Sequence, residues 1–162
     1  MIISLIAAMD HNNVIGVDGE LPWRLPDDMR WYFRNTKNKT IVMGRVTFDS
    51  LGQKPMKRRI NIVMTRQTDF EAEGVIVVHS VDEAIAAAGE IDELMIIGGS
   101  HIYTLFLPIA NRFYLTRVDG EFDGDTIFTA FDLADWHESF HQHHPVDEKH
   151  AYPFDFYILE RR

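Results

Sequence analysis

Short, nearly unbroken apolar runs recur along this chain, and they constrain its fold more than any other feature. The first run is Ile2–Met9, and others follow at Thr40–Met43, Ile60–Thr65, Val75–His79, Glu93–Ile97 and Phe113–Val118. Runs of this length without polar alternation are typical of strands that are buried on both faces of a parallel sheet. The sequence therefore predicts such a sheet at the centre of the molecule.

Helix-forming segments separate several of these runs. Pro-Asp-Asp at 26–28 predicts a helix start, because proline suits the first helical position and acids favour the first turn. Ser80 followed by Glu83 is a capping box, and Gly89 ends the alanine-rich stretch behind it. Strands that alternate with helices indicate a parallel α/β fold.

The C-terminal part follows a different pattern. Trp136–His144 and Phe154–Leu159 are strand-like and are joined without a helix, which predicts an antiparallel finish. The chain has 162 residues, of which 46% are hydrophobic, so one domain over residues 1–162 is expected.

Composition excludes several functional classes. The net charge of −9 argues against a nucleic-acid binder, and the absence of cysteine excludes disulfides, thiolate metal sites and cysteine nucleophiles. No apolar run approaches the roughly 20 residues of a membrane span. We expect a soluble, cytoplasmic monomer that binds neither nucleic acid nor membrane.

The charge is unevenly distributed. The segment from Arg45 to Arg66 carries +5, which leaves −14 for the rest of the chain. A local positive field of this kind suits a bound anion of modest size, although a solvated basic surface is an equally good interpretation.

A histidine-rich segment raises the question of a metal site. His141, His143 and His144 lie close in sequence, but no carboxylate or fourth ligand is spaced to complete a closed site. We interpret them as the polar surface of a strand and expect no metal. Asp123-Gly124-Asp125 lacks the spacing of a calcium loop and is interpreted as a turn.

Residues 10–26 carry two glycines and two prolines without a clear period. A long irregular stretch in a compact domain is uncommon and is usually functional. Because it follows the first strand, at the edge where α/β sheets bind ligands, we interpret it as a lid over a site rather than as a plain surface loop.

Asp28 is the most informative single residue. On a helix it shares a face with Trp31 and Tyr32, and an apolar setting raises the pKa of a carboxyl group. Such a group can take part in proton transfer near neutral pH. The alternative, weighted equally, is that Asp28 only complements the helix dipole, as Asp27 does.

Two predicted strand-to-helix junctions contain glycine. Met43-Gly44-Arg45 and Ile97-Gly98-Gly99 each follow an apolar run. Backbone N–H groups at helix starts attract phosphate, and glycine permits close approach, so the two junctions together with Thr65 and Arg66 suggest a nucleotide site. Neither junction matches the usual dinucleotide motif.

Several motifs, taken together and in order, resemble dihydrofolate reductase of the bacterial chromosomal type. The motifs are Val14–Gly16, Leu21–Asp28, Ile41–Arg45 with Thr47-Phe48, Ile96–Gly99 with Tyr103, Tyr114–Thr116, Asp123–Thr126 and Leu159–Arg162. The resemblance implies an eight-stranded, mostly parallel sheet with an antiparallel C-terminal strand and four helices. It also implies hydride transfer from NADPH to dihydrofolate, binding of antifolate-type molecules, and a cis peptide between Gly98 and Gly99.

The resemblance further implies roles for particular residues. Asp28, Trp23 and Leu21 would be catalytic, with Asp28 favouring protonation of the pterin. Substrate contacts would come from Ile6, Ala8, Met29, Tyr32, Lys54, Met56, Arg59, Ile97, Tyr103 and Thr116. Cofactor contacts would come from Ala8, Ile15, Gly16, Gly44, Arg45, Val46, Thr47, Met64, Thr65, Arg66, Gly98, Gly99, Ser100, His101, Ile102, Tyr103 and Thr126.

The chain departs from the family pattern in places. Residues 52–59 are one residue longer than the usual Gly-Arg-Pro-Leu-Pro-Gly-Arg, and Arg59 rather than Arg58 is assigned to the substrate's glutamate because Arg59-Ile60-Asn61 keeps the Arg-x-Asn order. Tyr32 replaces phenylalanine, so its hydroxyl needs a partner. Two alternatives stay open: the pyrimidine reductase of riboflavin synthesis, and a non-catalytic nucleotide-binding domain, which would need no acid at position 28.

Overall fold

One eight-stranded sheet organises residues 1–162, all of which are described by the computed structural model. The strands are β1 (Ile2–Met9), β2 (Val14–Gly16), β3 (Thr40–Gly44), β4 (Ile60–Met64), β5 (Ile76–Val78), β6 (Glu93–Gly98), β7 (Arg112–Val118), β8 (Thr126–Ile127), β9 (Trp136–His144) and β10 (Phe154–Arg161). The helices are α1 (Pro26–Thr36), α2 (Arg45–Ser50), α3 (Val81–Ala88) and α4 (Ser100–Phe106).

The strand order is β5-β4-β3-β6-β1-β7-β10-β9, and β2 and β8 form a separate pair. Pairings from β5 to β7 are parallel, whereas β10 is antiparallel to both β7 and β9. The predicted sheet, with its antiparallel C-terminal strand and four helices, is therefore confirmed. Because the central strands are parallel, their carboxyl ends share one edge of the sheet, where ligands of such folds bind.

The predicted apolar runs all form strands, and their bounds differ from the prediction by at most two residues. The two faces of the sheet carry separate hydrophobic cores, one around Leu5 and Phe106 and the other around Ile41 and Trp31. This double burial explains why the runs are continuous rather than alternating. None of the helices is long and apolar enough to cross a bilayer.

Local signals place the helix ends as expected. The Ser80 side chain accepts a hydrogen bond from the Glu83 N–H, and Gly89 ends α3 at a φ of 70°. The Glu83 carboxylate accepts from the N–H of His79, one residue before the position that a standard capping box uses. Helix α1 starts at Pro26 as predicted, but no side chain of its own N-cap residue supports it.

The expectation that residues 10–26 lack regular structure is wrong. Val14–Gly16 forms β2 and pairs with β8, and Val17 bridges to Glu20. Three-residue strands are too short to show a period in the sequence, which is why the pattern missed them.

Two further features fasten this segment to the loop before β8. A Cβ atom on Gly124 would lie 2.6 Å from the carbonyl oxygen of Gly16, so glycine is needed for the close approach. The fully buried carboxylate of Asp10 accepts hydrogen bonds from the N–H groups of Val14 and Phe122. The segment is therefore anchored at its beginning and middle, before it reaches Leu21.

Candidate active site

A cavity of about 230 Å³ opens where β1, β6 and β7 face α1. It is lined by Ile6, Ala7, Ala8, Leu21, Asp28, Met29, Trp31, Tyr32, Thr47, Met56, Ile97, Tyr103 and Thr116. All of these except Ala7 and Trp31 belong to the set predicted from the sequence. An adjoining cavity of about 340 Å³ shares Leu21, Asp28 and Met29 and also reaches Trp23.

Asp28 is the only carboxylate on the wall of either cavity. Helix α1 places it on the same face as Trp31 and Tyr32, and only 5% of its surface is exposed. Thr116 of β7 donates a hydrogen bond to it over 2.7 Å. Burial raises the pKa of Asp28 to about 6, and the hydrogen bond from Thr116 opposes part of that rise.

The Tyr32 hydroxyl finds the partner that its apolar setting requires. It donates to the sulfur of Met56 over 3.5 Å, and sulfur is a weak acceptor. Burial raises the pKa of Tyr32 to about 12, so the phenol is neutral at physiological pH. Tyr32 therefore adds a polar atom but no charge to the pocket.

Leu21 and Trp23 stand on the segment that leads into α1. Trp23 is buried against the ring of Phe122 at a centroid distance of 5.1 Å, and its indole N–H has no protein acceptor. Leu21 is 43% exposed at the mouth of the cavities. The pair thus offers a free donor and an apolar cover beside Asp28.

Arg59 does not line the cavity around Asp28. Its Nε donates to Thr36 at the end of α1 over 3.0 Å, and its guanidinium lies 4.9 Å from the ring centre of Phe33. Since Thr36 follows Asp28 by eight residues, Arg59 stands about 12 Å further along the helix. Lys54 is exposed on the same loop.

The loop conformation bears on the choice between Arg59 and Arg58. Arg58 has a φ of 61°, in the region that favours glycine, and the family pattern has glycine directly before its arginine. Arg58 therefore matches the glycine of the pattern, and Arg59 matches its arginine.

Asn61 is buried and fixes the conformation of this loop. It accepts from the N–H of Met56 and donates to the carbonyls of Met56 and Arg59. The Arg-x-Asn order drew attention to Asn61 in the sequence, but it did not predict that Asn61 binds the backbone of the loop.

The glycine junctions lie side by side on the adjoining part of the sheet edge. Gly98 and Gly99 are joined by a cis peptide, as the resemblance implied. A Cβ on Gly98 would lie 2.9 Å from the Tyr103 ring, and the Tyr103 hydroxyl donates to the carbonyls of Ile6 and Ile97. A Cβ on Gly44 would lie 2.9 Å from Ile102, so α4 packs closely against the start of α2.

Basic side chains flank these junctions. Arg45 pairs with Asp49 over 3.2 Å and with Gln67 over 2.7 Å, and it covers the ring of Phe70. Arg66 is exposed and follows Thr65 at the end of β4. The basic side chains of the positive segment are therefore at least partly exposed, and Arg66 is available to an anion.

The remaining predicted cofactor residues surround the same edge. Ile15 and Gly16 lie on β2 beside Thr126 of β8, Ser100 donates to the Ile127 carbonyl, and Met64 is buried at the end of β4. Val46 and His101 are exposed near the starts of α2 and α4.

Two carboxylates from outside the histidine-rich segment contact the histidines of β9, which the spacing in the sequence did not predict. His141 and His143 share one oxygen of Asp155, on the exposed face expected for a strand surface. His144 instead bonds Asp27 of α1 over 2.7 Å. This contact joins residues 117 positions apart, and no local pattern could have revealed it.

Comparisons with known proteins agree with this geometry. The family model described as "Dihydrofolate reductase" matches residues 2–161. A "Dihydrofolate reductase" of Haemophilus influenzae is 43% identical over the full length of both chains, and a "Dihydrofolate reductase type 3" of Salmonella typhimurium is 44% identical over 100% of this chain and 99% of its own. A dihydrofolate reductase from Enterococcus faecalis, solved with NADP(H) and RAB-propyl, superposes with a TM-score of 0.92 at 36% identity, covering 99% of this chain and 96% of that one.

Proposed function

This chain belongs to the dihydrofolate reductase family and reduces dihydrofolate to tetrahydrofolate with NADPH, and we propose that Asp28 is the group that favours protonation of the pterin. One observation carries the proposal: a single carboxylate lies almost fully buried on the cavity wall, and its only side-chain partner is the neutral hydroxyl of Thr116. A carboxylate with no cation beside it is free to interact with positive charge on a bound substrate.

The reaction adds a hydride to the carbon of the pterin imine and a proton to the adjacent ring nitrogen. NADPH supplies the hydride when it is bound. Ionised Asp28 stabilises the protonated pterin, since two opposite charges attract more strongly in a dehydrated cavity than in water. Leu21 and Trp23 cover this carboxylate and exclude water from it, which strengthens the same interaction.

The residues at the glycine junctions fit a dinucleotide. Gly98 and Gly99 present backbone without side chains at the edge of the cavity, and Tyr103 fills the space that a Cβ on Gly98 would need. We assign the phosphate carried only by NADPH to Arg66 and Thr65, because Arg66 is an exposed cation and an arginine matches phosphate geometry. Arg45 and Thr47 would serve the remaining phosphates.

Arg59 is assigned to the glutamate carboxylate of dihydrofolate. It lies beside the far end of α1 from Asp28, which suits a long substrate whose ends carry opposite functions. A planar guanidinium can hold a carboxylate through two hydrogen bonds. Antifolate-type molecules would occupy the same apolar cavity, with Asp28 as their polar anchor.

We also propose that residues 1–162 act as a single domain, as a cytoplasmic monomer that does not bind nucleic acid. The first strand and the last strand both pair with β7, so the two ends of the chain share one sheet. The net charge of −9 disfavours contact with nucleic acid.

Replacing Asp28 with asparagine tests the proton role. The hydride step, followed in single turnover, should slow by about 10²–10⁴-fold at neutral pH, the usual range for general acid–base assistance. The variant should regain rate steadily as the pH falls, because solvent can then protonate the substrate. The wild-type rate should fall as the pH rises through a value at or above the pKa of about 6.

Asp82→Asn is a matched control, because it also removes one carboxylate from the first turn of a helix, but at an exposed position. It should keep the wild-type rate and pH profile. Wild-type speed in Asp28→Asn at neutral pH, or a profile that stays flat on acidification, would refute the role given to Asp28.

A further inference from the structure

Four side chains that commonly bind metals meet outside the cavity, where the connection from β9 to β10 packs on the first turn of α1. Asp27 belongs to that turn, His144 ends β9, and Asp147 and His150 lie in the connection. One ligand atom from each residue lies within 4.8 Å of all the others. We propose that this cluster, here called the hairpin cluster, is a tetrahedral binding site for a divalent transition metal such as Zn²⁺, in which Asp27, His144 and Asp147 supply three ligands and water supplies the fourth.

The donor set suits that ion. One imidazole nitrogen and two carboxylate oxygens are common ligands of Zn²⁺, and a chain with no cysteine can form a zinc site only from such groups.

The spacing of the ligand atoms needs only small adjustments. Asp27 Oδ2 lies 2.7 Å from His144 Nε2, and Asp147 Oδ1 lies 2.7 Å from His150 Nδ1. The other oxygen of Asp147, Oδ2, lies 3.9 Å from His144 Nε2. Both nitrogens of His150 are occupied, because Nδ1 donates to Asp147 Oδ1 and Nε2 accepts from the N–H of Asp27, so His150 positions the two aspartates and is not itself a ligand. Zinc bonds of about 2.0–2.2 Å place tetrahedral ligands about 3.4 Å apart, so the contact from Asp27 to His144 opens and the contact from His144 to Asp147 closes, each by less than 1 Å.

His144 already has the orientation of a metal-bound histidine. Its Nδ1 donates to the carbonyl of Pro145 over 2.7 Å, which leaves Nε2 as the atom directed into the cluster. Metal-binding histidines almost always hold the other ring N–H to a carbonyl or carboxylate in this way. The His144 ring also stacks on Phe154 at 4.3 Å, which gives the cluster an apolar wall.

The backbone and His150 hold the two carboxylate ligands in place. Asp147 and His150 exchange two main-chain hydrogen bonds across their turn, and the N–H of Lys149 donates to Asp147. His150 is only 2% exposed, and one of its nitrogens accepts from the N–H of Asp27. Most of the ordering entropy of the site has therefore been lost on folding, before any ion binds.

A titration of the tag-free full-length protein with Co²⁺ tests the proposal directly, because tetrahedral Co²⁺ absorbs strongly in the visible range and octahedral Co²⁺ does not. We expect one equivalent to produce the tetrahedral spectrum and one equivalent of Zn²⁺ to abolish it. His144→Gln and Asp147→Asn should each weaken Co²⁺ binding at least about tenfold, since even indirect partners of a metal change affinity by about 10–100-fold. Asp147 is about half exposed, so its variant tests the site even if His144→Gln folds poorly.

His143→Gln is the matched control. His143 and His141 share Asp155 on the exposed face of β9, so they form the competing surface site. The proposal predicts that His143→Gln binds Co²⁺ as tightly as the wild type. It is overturned if one equivalent gives only the octahedral spectrum, if neither cluster variant weakens binding, or if His143→Gln is the variant that loses it.

Discussion

The two ends of this site differ in how they meet water. At one end Asp28 is 5% exposed and touches one neutral partner, and its pKa is raised to about 6. Away from Asp28, the three basic residues here called the basic rim are partly or fully exposed; they are Arg45, Arg59 and Arg66. Burial therefore changes the chemistry of the carboxylate, whereas exposure leaves Arg66 open to a bound anion.

This difference predicts two kinds of mutational effect. A change at Asp28 should alter folding stability, its pH dependence and the chemical step together. A change at Arg66, the exposed member of the basic rim, should alter the binding of a ligand and leave folding stability within about 0.5 kcal/mol, as is usual for exposed positions.

The largest effect on stability is expected for Asp28→Asn. A pKa of about 6 in the folded chain, against about 3.9 in the unfolded chain, means that ionisation costs the folded state about 3 kcal/mol. The variant should therefore be more stable than the wild type by up to about that amount at pH 8. The gain should shrink as the pH falls from 6 towards 4, because the wild-type carboxyl group then becomes neutral. Urea unfolding over this pH range measures it.

Asp82→Asn again serves as the control for the loss of one negative charge. It removes a favourable interaction with the dipole of α3, so it should lower stability by about 0.3–1 kcal/mol. The two variants are thus expected to change stability in opposite directions at pH 8. If Asp28→Asn is less stable than the wild type at pH 8, then burial does not make ionised Asp28 costly, and the contrast with the exposed basic rim is wrong.

Next in size is the effect of Arg66→Ala on cofactor choice. Losing a charge-assisted hydrogen bond to the ribose phosphate should weaken NADPH binding by about 1.5–3 kcal/mol. NADH lacks that phosphate, so its dissociation constant should stay unchanged, and so should the unfolding midpoint. Equal losses for both cofactors, measured by fluorescence titration, would remove Arg66 from the phosphate site.

A smaller effect is expected for Arg59→Lys. Lysine cannot hold a carboxylate through two bonds, so the Michaelis constant for dihydrofolate should rise about tenfold, equivalent to one charge-assisted bond of about 1.5 kcal/mol, with kcat unchanged. Arg58→Lys is the control next to it, and steady-state kinetics of both variants decide the assignment. A larger rise for Arg58→Lys would show that the extra residue of the loop lies on the other side.

The sheet and most of the cavity wall could be predicted because their signals are local. Continuous apolar runs mark strands with two buried faces, and the i, i+3 and i+4 positions after Asp28 place Trp31 and Tyr32 beside it. The resemblance supplied the residues that converge from other strands, such as Ile97 and Thr116. Both kinds of signal are visible in the printed sequence.

The features that were missed depend on contacts between distant segments. The pairing of β2 with β8, and the bond from His144 to Asp27, join residues more than 100 positions apart. The buried Asp10 binds the N–H of Phe122 across a similar separation, and nothing near it in the sequence marks that partner. Such contacts follow from the finished fold rather than from any periodicity.

The role proposed for Asp28 rests on the proton affinity of its buried carboxyl group, and a carbon-detected NMR titration of that side chain in the unliganded protein measures this affinity most directly. The resonance is the one that disappears in Asp28→Asn. We expect a titration midpoint near 6. A midpoint at or below about 4, the ordinary value for aspartate, would contradict it.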